Sequence, residues 1–425
     1  MEMRQRRTGA AFLGVILLML GACGRPENVI FPAGPVTNGG GTVEMLVATT
    51  RASAVVPGVM YSGERGENLA FADMAISIPP PGARQVGEVQ WPERLPANPA
   101  TDFVTVRADP MSMEQAQRWF RDKLKRSGQR RVLIFVHGFN NRYEEAVYRF
   151  AQIQDDSGSP AVPVLFTWPS RGTLLSYQYD RESTNYSRDA LERVLQALAR
   201  DPTVGEVSIL AHSMGNWLTL EALRQMAIRN GRVAPKVKNV MLAAPDVDVD
   251  VFNKQIAEMG ASRPNFTLFV SQDDRALEVS RRLSGGIARL GAIDPNAAPY
   301  RQQLEADGIA VLDLTALRGG DGLNHAKFAR SPEVVRLIGQ RLVEGQSIND
   351  PRTSLGESVG QLATGAAAAV GNAAGIVLSA PIAIVDPRSR ESLGARFQEL
   401  GAAVETTARS TGEIVTAPTQ VLRRR

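Results

Sequence analysis

Cysteine, histidine and aromatic side chains are scarce in this chain: one cysteine, three histidines and 6% aromatics in 425 residues. Each scarcity excludes something. A lone Cys23 permits no intramolecular disulfide and no cysteine-based metal site. With only His137, His212 and His325 available, any chemistry that needs a neutral-pH base must draw on one of three positions. No basic stripe with interleaved aromatics occurs. The formal charge is +4 and falls to +2 once Glu2, Arg4, Arg6 and Arg7 are set aside with a leader, so nothing argues for nucleic acid as a partner. The apolar run at 10–20 is too short for a comfortable membrane span. No internal repeat is found. The apolar and charged fractions are ordinary for a globular protein, and the length accommodates one large domain with extensions.

The N-terminus reads as an export signal: Arg4, Arg6 and Arg7 precede the short apolar run, which leads into Leu20-Gly-Ala-Cys23. This segment resembles the lipobox of bacterial lipoproteins. The resemblance implies cleavage before Cys23 and acylation of its thiol and new N-terminus, and more than one chain anchors stably where a single one does not. Gly24 after the cysteine points, by the same resemblance, to the outer membrane of a Gram-negative cell, facing the periplasm. The expected organisation is a signal peptide at 1–22, a Pro/Gly/Asn-rich tether at 23–42, a catalytic domain with an N-terminal β extension at 43–345, and an Ala/Gly-rich extension at 346–425.

The stretch around which the rest is organised is Glu206-Val-Ser-Ile-Leu-Ala-His-Ser-Met-Gly215. An apolar strand enters a small-x-Ser-x-Gly turn, and a helical pattern follows at once. That context makes the motif a nucleophile elbow with Ser213 at its tip. Gly215 meets the need for a small residue two after the serine, and Ala211 replaces the usual glycine two before it. The turn aims the Met214 amide, at a helix N-terminus, toward a developing oxyanion. The bland alternative is a tight turn whose serine merely caps the helix.

Around this elbow the pattern alternates strand and helix, which predicts a mostly parallel sheet covered on both faces. Buried β-branched runs place strands at 132–136, 162–168, 206–210, 237–243, 266–271 and 309–314. Strand-like stretches at 43–50, 69–78 and 103–106 form the N-terminal extension. Helical patterns fall at 113–126, 142–155, 187–200, 216–229, 248–258 and 332–344. At the end of the strand 132–136 stands His137-Gly-Phe-Asn140. The loop after that strand supplies a second oxyanion amide in sheets of this kind, and Phe139 is the expected donor, with Gly138 allowing close approach. His137 sits too far back to be the base and reads as a brace for the loop.

Leu133-Ile-Phe-Val-His-Gly-Phe-Asn-Asn141, Phe166-Thr-Trp-Pro-Ser170, Tyr179-Asp-Arg-Glu-Ser183 with Tyr186-Ser-Arg-Asp189, and Ala211-His-Ser-Met-Gly-Asn216 together resemble a bacterial family of largely uncharacterised α/β-hydrolases, catalogued as a domain of unknown function within the esterase/lipase superfamily. Ala48-Thr-Thr-Arg51 and Ala244-Pro-Asp-Val-Asp248 are also similar to it. The likeness spans roughly 43–343 and implies an α/β-hydrolase fold with serine-hydrolase machinery, but no particular substrate.

Such machinery needs a base and an orienting acid downstream of the serine. His212 adjoins Ser213 and cannot turn back onto it, so His325, in Asp321-Gly-Leu-Asn-His-Ala-Lys327, is the expected base. The acid is expected after the strand 266–271, where Asp274 matches the family pattern; Asp273 and Asp246 stay open as alternatives. Asp246, Asp248 and Asp250 alternate as in a calcium loop, but Val251 and Ala257 stand where its glycine and glutamate belong, so no calcium site is expected. The segments 168–172 and 177–186 are read as a loop walling the substrate pocket. The expectation is a membrane-anchored esterase or lipase-like serine hydrolase acting on a small-molecule or lipid ester, with no metal and no organic cofactor. Acyl transfer, peptidase activity, or a non-catalytic envelope module are the alternatives. The tail segment 358–385 has no charged residue and carries Pro381; it is too poor in Leu and Phe for a membrane helix.

Overall fold

The computed structural model describes residues 27–36, 40–317 and 321–344. The leader, Cys23 and the extension beyond 345 lie outside the described residues. Among the described residues nine strands form one sheet: β1 (Thr42–Ser53), β2 (Tyr61–Ser77), β3 (Val104–Met111), β4 (Arg131–Val136), β5 (Val162–Thr167), β6 (Glu206–His212), β7 (Val237–Ala243), β8 (Asn265–Val270) and β9 (Ala310–Asp313). The helices are α1 (Met113–Ser127), α2 (Tyr143–Ser157), α3 (Tyr177–Arg200), α4 (Met214–Asn230), α5 (Val249–Met259), α6 (Arg275–Leu283), α7 (Ala298–Ala306), α8 (Lys327–Arg330) and α9 (Pro332–Glu344).

Strand alternation divides the apolar side chains between two cores. Val132, Ile134 and Val136 of β4 face a cluster built with α1, α3, α4 and α5. Leu133 and Phe135 of the same strand face a cluster built with α2 and α9. Burying both faces is what parallel strands require, and it explains their unbroken Val/Ile/Leu/Phe runs. Each large side chain withdrawn from water contributes about 1.5–3 kcal/mol before conformational entropy is counted.

The strand order is β3-β2-β1-β5-β4-β6-β7-β8-β9. From β4 the chain crosses to β5 on one side and then returns past β4 to β6 on the other. The crevice between the carboxyl ends of β4 and β6 is therefore the topological switch point, where open sheets of this type bind ligands. Val136 pairs with Ala211 across it, so the loop after β4 and the turn after β6 emerge side by side.

The N-terminal extension is continuous with this sheet. β1 runs antiparallel to β2 and parallel to β5, Leu46 facing Val164 and Thr49 facing Thr167. β2 begins at Tyr61, earlier than expected, because Ser62-Gly-Glu-Arg-Gly-Glu-Asn68 pairs through backbone without an apolar face. The reading of 177–186 as a loop is corrected: these residues are the first turns of α3. The buried positions there are Asp180, Ser183, Thr184 and Ser187, so the inner face is polar and carries no hydrophobic period.

Candidate active site

Ser213 sits between β6 and α4 with φ 52 and ψ −123, a backbone conformation that non-glycine residues rarely adopt. The surrounding structure holds it there. Its N–H donates to Ala243 O at 2.9 Å, and its carbonyl accepts from the Asn216 N–H at 3.1 Å, the Asn216 side chain at 2.9 Å and the Asp246 N–H at 3.3 Å. The Ser213 hydroxyl does not cap the helix, so the capping alternative fails on geometry. Gly215 is required: a Cβ there would lie 2.3 Å from His137 O. Met214 opens α4, where first-turn amides have no acceptor within the helix.

The loop after β4 presses directly on the elbow. A Cβ on Gly138 would meet Ser213 Cβ at 2.8 Å and His212 Nδ1 at 2.9 Å. Phe139 follows, partly buried, its carbonyl accepting from Asn141 Nδ2 at 2.8 Å. His137 lies beneath. The Trp168 N–H donates to its Nε2 at 3.1 Å, so the proton resides on Nδ1 and bonds to Gly138 O at 2.9 Å. The imidazole stacks on Trp168, with centroids 4.9 Å apart. Burial, and then the Arg51 charge, push its pKa well below the usual histidine range, so it stays neutral.

Arg51 was noted in the sequence only as part of a resemblance, and no role was assigned to it. It is 2% exposed. It donates to Thr167 Oγ1 at 2.7 Å, Ser170 O at 2.9 Å, Ser62 O at 3.1 Å and Asn141 O at 2.8 Å. Burial lowers its pKa to about 10, which leaves it charged at neutral pH. Asp180 meets the same loop from α3, accepting from the Ser170 hydroxyl at 2.5 Å, the Arg171 N–H at 3.0 Å and the Asn140 N–H at 3.3 Å. Its pKa is raised by burial, against the opposing effect of these donors. The one sequence signal for this network was a charge set directly after the strand-like run 43–50.

His325 stands in the turn between β9 and α8. Its ring centroid is 4.7 Å from that of His212, the residue before Ser213, and its carbonyl accepts from His212 Nε2 at 3.2 Å. Asp321 Oδ1 fixes the turn by accepting the N–H groups of His325 at 2.7 Å and Ala326 at 3.2 Å. His325 Nδ1 donates to Asp274 Oδ2 at 2.7 Å, which leaves Nε2 as the open nitrogen. Burial opposes protonation of His325. The Asp274 charge and hydrogen bond, with Asp321 and Asp246 beyond, outweigh it, and the pKa is raised above 6.5. His212 moves the other way: burial and the neighbouring His325 push it well below 6.5.

Of the three carboxylates weighed for the acid, Asp274 touches His325. Its second oxygen, Oδ1, accepts the Leu277 N–H at 3.0 Å and caps α6. Asp273 is tied to buried Lys327 at 2.8 Å and to the Ser271 hydroxyl at 2.5 Å. Burial works against its ionisation, but the Lys327 and Ser271 bonds prevail and hold its pKa low. Asp246 accepts from the hydroxyls of Ser280 at 2.6 Å and Tyr177 at 3.2 Å. The Tyr177 ring meets Phe139 edge-on, with centroids 5.2 Å apart. Tyr177 also lines an open cleft of about 620 Å³, so the start of α3 walls a cavity together with Asp248, Val251 and Arg289.

Comparison with known proteins gives a family and some distant likenesses. A family profile described as an alpha/beta hydrolase of unknown function (DUF900) matches residues 112–341, more than half of the chain. An uncharacterized protein of Nostoc sp. is 24% identical over 132 residues, covering 25% of this chain and 34% of that protein, so the match spans about a third of that relative's length. Among solved structures, an esterase from Rhizomucor miehei is 13% identical, with 72% of this chain and 84% of that one covered and a TM-score of 0.30. A putative cell surface hydrolase from Lactobacillus plantarum WCFS1 is 12% identical, with 51% and 93% covered and a TM-score of 0.32.

Proposed function

This chain belongs to the alpha/beta hydrolases of unknown function (DUF900), and we propose that it is a serine hydrolase of ester bonds worked by Ser213, His325 and Asp274. The observation that carries the reading is the 2.7 Å contact from His325 Nδ1 to Asp274 Oδ2, with His325 packed on His212, the residue before a strained serine whose side chain does not cap its helix. In this reading Ser213 Oγ attacks the acyl carbon while His325 Nε2 takes its proton. Asp274 holds the imidazole in the tautomer that leaves Nε2 free, and it stabilises the imidazolium once formed. The Met214 and Phe139 amides receive the oxyanion. His325 returns the proton to the departing alcohol, and water, activated by the same nitrogen, releases the acid. His137, Gly138, His212 and Gly215 position the loop, the base and the elbow.

The test is labelling of the full-length protein with an alkyl fluorophosphonate, read by intact mass and by the labelled peptide. A stoichiometric adduct on Ser213 that is lost in Ser213→Ala and in His325→Ala supports the reading. A folded wild-type protein that takes no label overturns it. The lipobox-like segment supports a further element of the same proposal, an acylated Cys23 that anchors the domain in the cell envelope. Replacing Cys23 by Ser would then move the protein from the membrane to the soluble fraction; an unchanged distribution counts against the anchor.

A further inference from the structure

Asp246 lies beside the elbow, its N–H donating to Ser213 O, but its side chain faces a different task. Oδ1 accepts from Ser280 at 2.6 Å and lies 3.3 Å from Arg289 Nε; Oδ2 accepts from Tyr177. Asp246 is thus amply supplied with donors, whereas Arg289 has the Asp246 carboxylate as its ion-pair neighbour but no hydrogen-bonded acceptor at Nε or Nη2. Arg289 is 4% exposed, and neither its Nε nor its Nη2 makes a hydrogen bond among the described residues. A buried guanidinium with open donors is an unfavourable arrangement unless something accepts from it.

Arg289 lines the 620 Å³ cleft that begins at Tyr177. Arg181, from α3, lines the same cleft, and its guanidinium lies over the Trp217 ring at 5.1 Å, which leaves its N–H edge open. Asp248 also borders the cleft, but its Oδ1 caps α5 by accepting from the Asp250 and Val251 amides. The same lining includes Leu174 and Leu175, from the turn that leads into α3, and Leu283, from the end of α6, all three exposed. The cleft therefore combines hydrocarbon side chains with two arginines in one lining, and guanidinium groups suit planar oxygens.

We propose that this cleft is a substrate subsite for an anionic group. On this view the natural ester carries a carboxylate or a phosphate a short hydrocarbon span from the scissile bond, and the anion seats on Arg289 and Arg181. The proposal rests on the serine-hydrolase reading and gives it a substrate class.

The test compares labelling rates of the full-length protein by two alkyl fluorophosphonates of equal length, one ending in methyl and the other in carboxylate. The carboxylate probe is expected to label Ser213 at least about tenfold faster, in line with a charge-assisted bidentate contact. That ratio should collapse toward one in Arg289→Gln. Because the Arg289 change also unpairs Asp246, Arg181→Gln serves as the second variant and should lower the ratio in the same direction. Equal rates in the wild type, or a preference that persists in both variants, overturns the proposal while leaving the serine nucleophile established. Labelling by neither probe overturns the serine-hydrolase reading itself and the subsite with it. Competition separates the two anion sources: succinate slowing the carboxylate probe at lower concentration than inorganic phosphate supports a carboxylate ligand, and the reverse order a phosphate.

Discussion

Asp274 does two jobs with two oxygens, and substitutions can separate them. Asn is as good a helix N-cap as Asp, so Asp274→Asn should leave the melting temperature nearly unchanged while removing the charge that orients His325. Labelling or turnover should then fall on the order of 10³–10⁴-fold. Asp274→Ala should lose the same activity and about 1 kcal/mol of stability as well, read from the denaturation midpoint. The pH dependence follows from the direction of the His325 shift. The base must be neutral to accept a proton, and its pKa is raised above 6.5, so the rate should climb with pH and reach half its plateau above pH 6.5. A half-point at or below 6.5 would contradict the Asp274 pairing. The same shift favours the folded state below the unfolded histidine pKa, and this contribution fades as pH rises through the folded value.

Among the elements, those read correctly in the sequence were the ones whose chemistry and periodicity agree. β4, β6 and α4 carry buried apolar runs around Gly138 and Gly215, and at both glycines a Cβ would lie under 3 Å from a neighbour, the elbow side chains at Gly138 and the His137 carbonyl at Gly215. The sharp turn at Ser213 was legible from its small neighbours, and His325 was singled out as the expected base by order and elimination, three histidines and one elbow leaving little else. α3 was legible only from 187 onward, because Asp180, Ser183 and Thr184 turn a polar face inward and imitate a loop. Arg51 and Arg289 were missed for a related reason. A lone arginine looks like surface in a one-dimensional string, and only the fold reveals that both are buried. The Arg51 network joins β1, β5, the loop after β4 and the start of α3. Replacing Arg51 by Met should cost on the order of 3 kcal/mol, since the carbonyls of Asn141, Ser170 and Ser62 lose a charged donor in a dry setting. Chemical denaturation measures this directly, and a loss under 1 kcal/mol would show that water replaces the guanidinium.

At the scale of the molecule, the family match begins at residue 112, whereas the sheet begins at Thr42. Everything between is bound to the rest through the β1–β5 ladder and through Arg51. A chain starting at Met113 would expose the β5 edge and the apolar faces of Leu46, Val47 and Ala48's partners. It should therefore be recovered aggregated or unfolded, by circular dichroism and size exclusion, rather than as a smaller hydrolase. A folded, monomeric product would mean that the extension is an accessory after all.

α6 gives this architecture a mechanical property. Its first residue is preceded by Asp274, which grips His325; its middle carries Ser280, which grips Asp246; its end supplies Leu283 to the cleft wall. Nine residues of one rigid rod thus connect the chamber that would sort substrates to the carboxylate that would time proton transfer. Whatever tilts the rod at one end re-aims the imidazole at the other. On the proposed reading recognition and turnover are geared together, so changes in cleft shape along α6 should be felt in kcat as well as in KM.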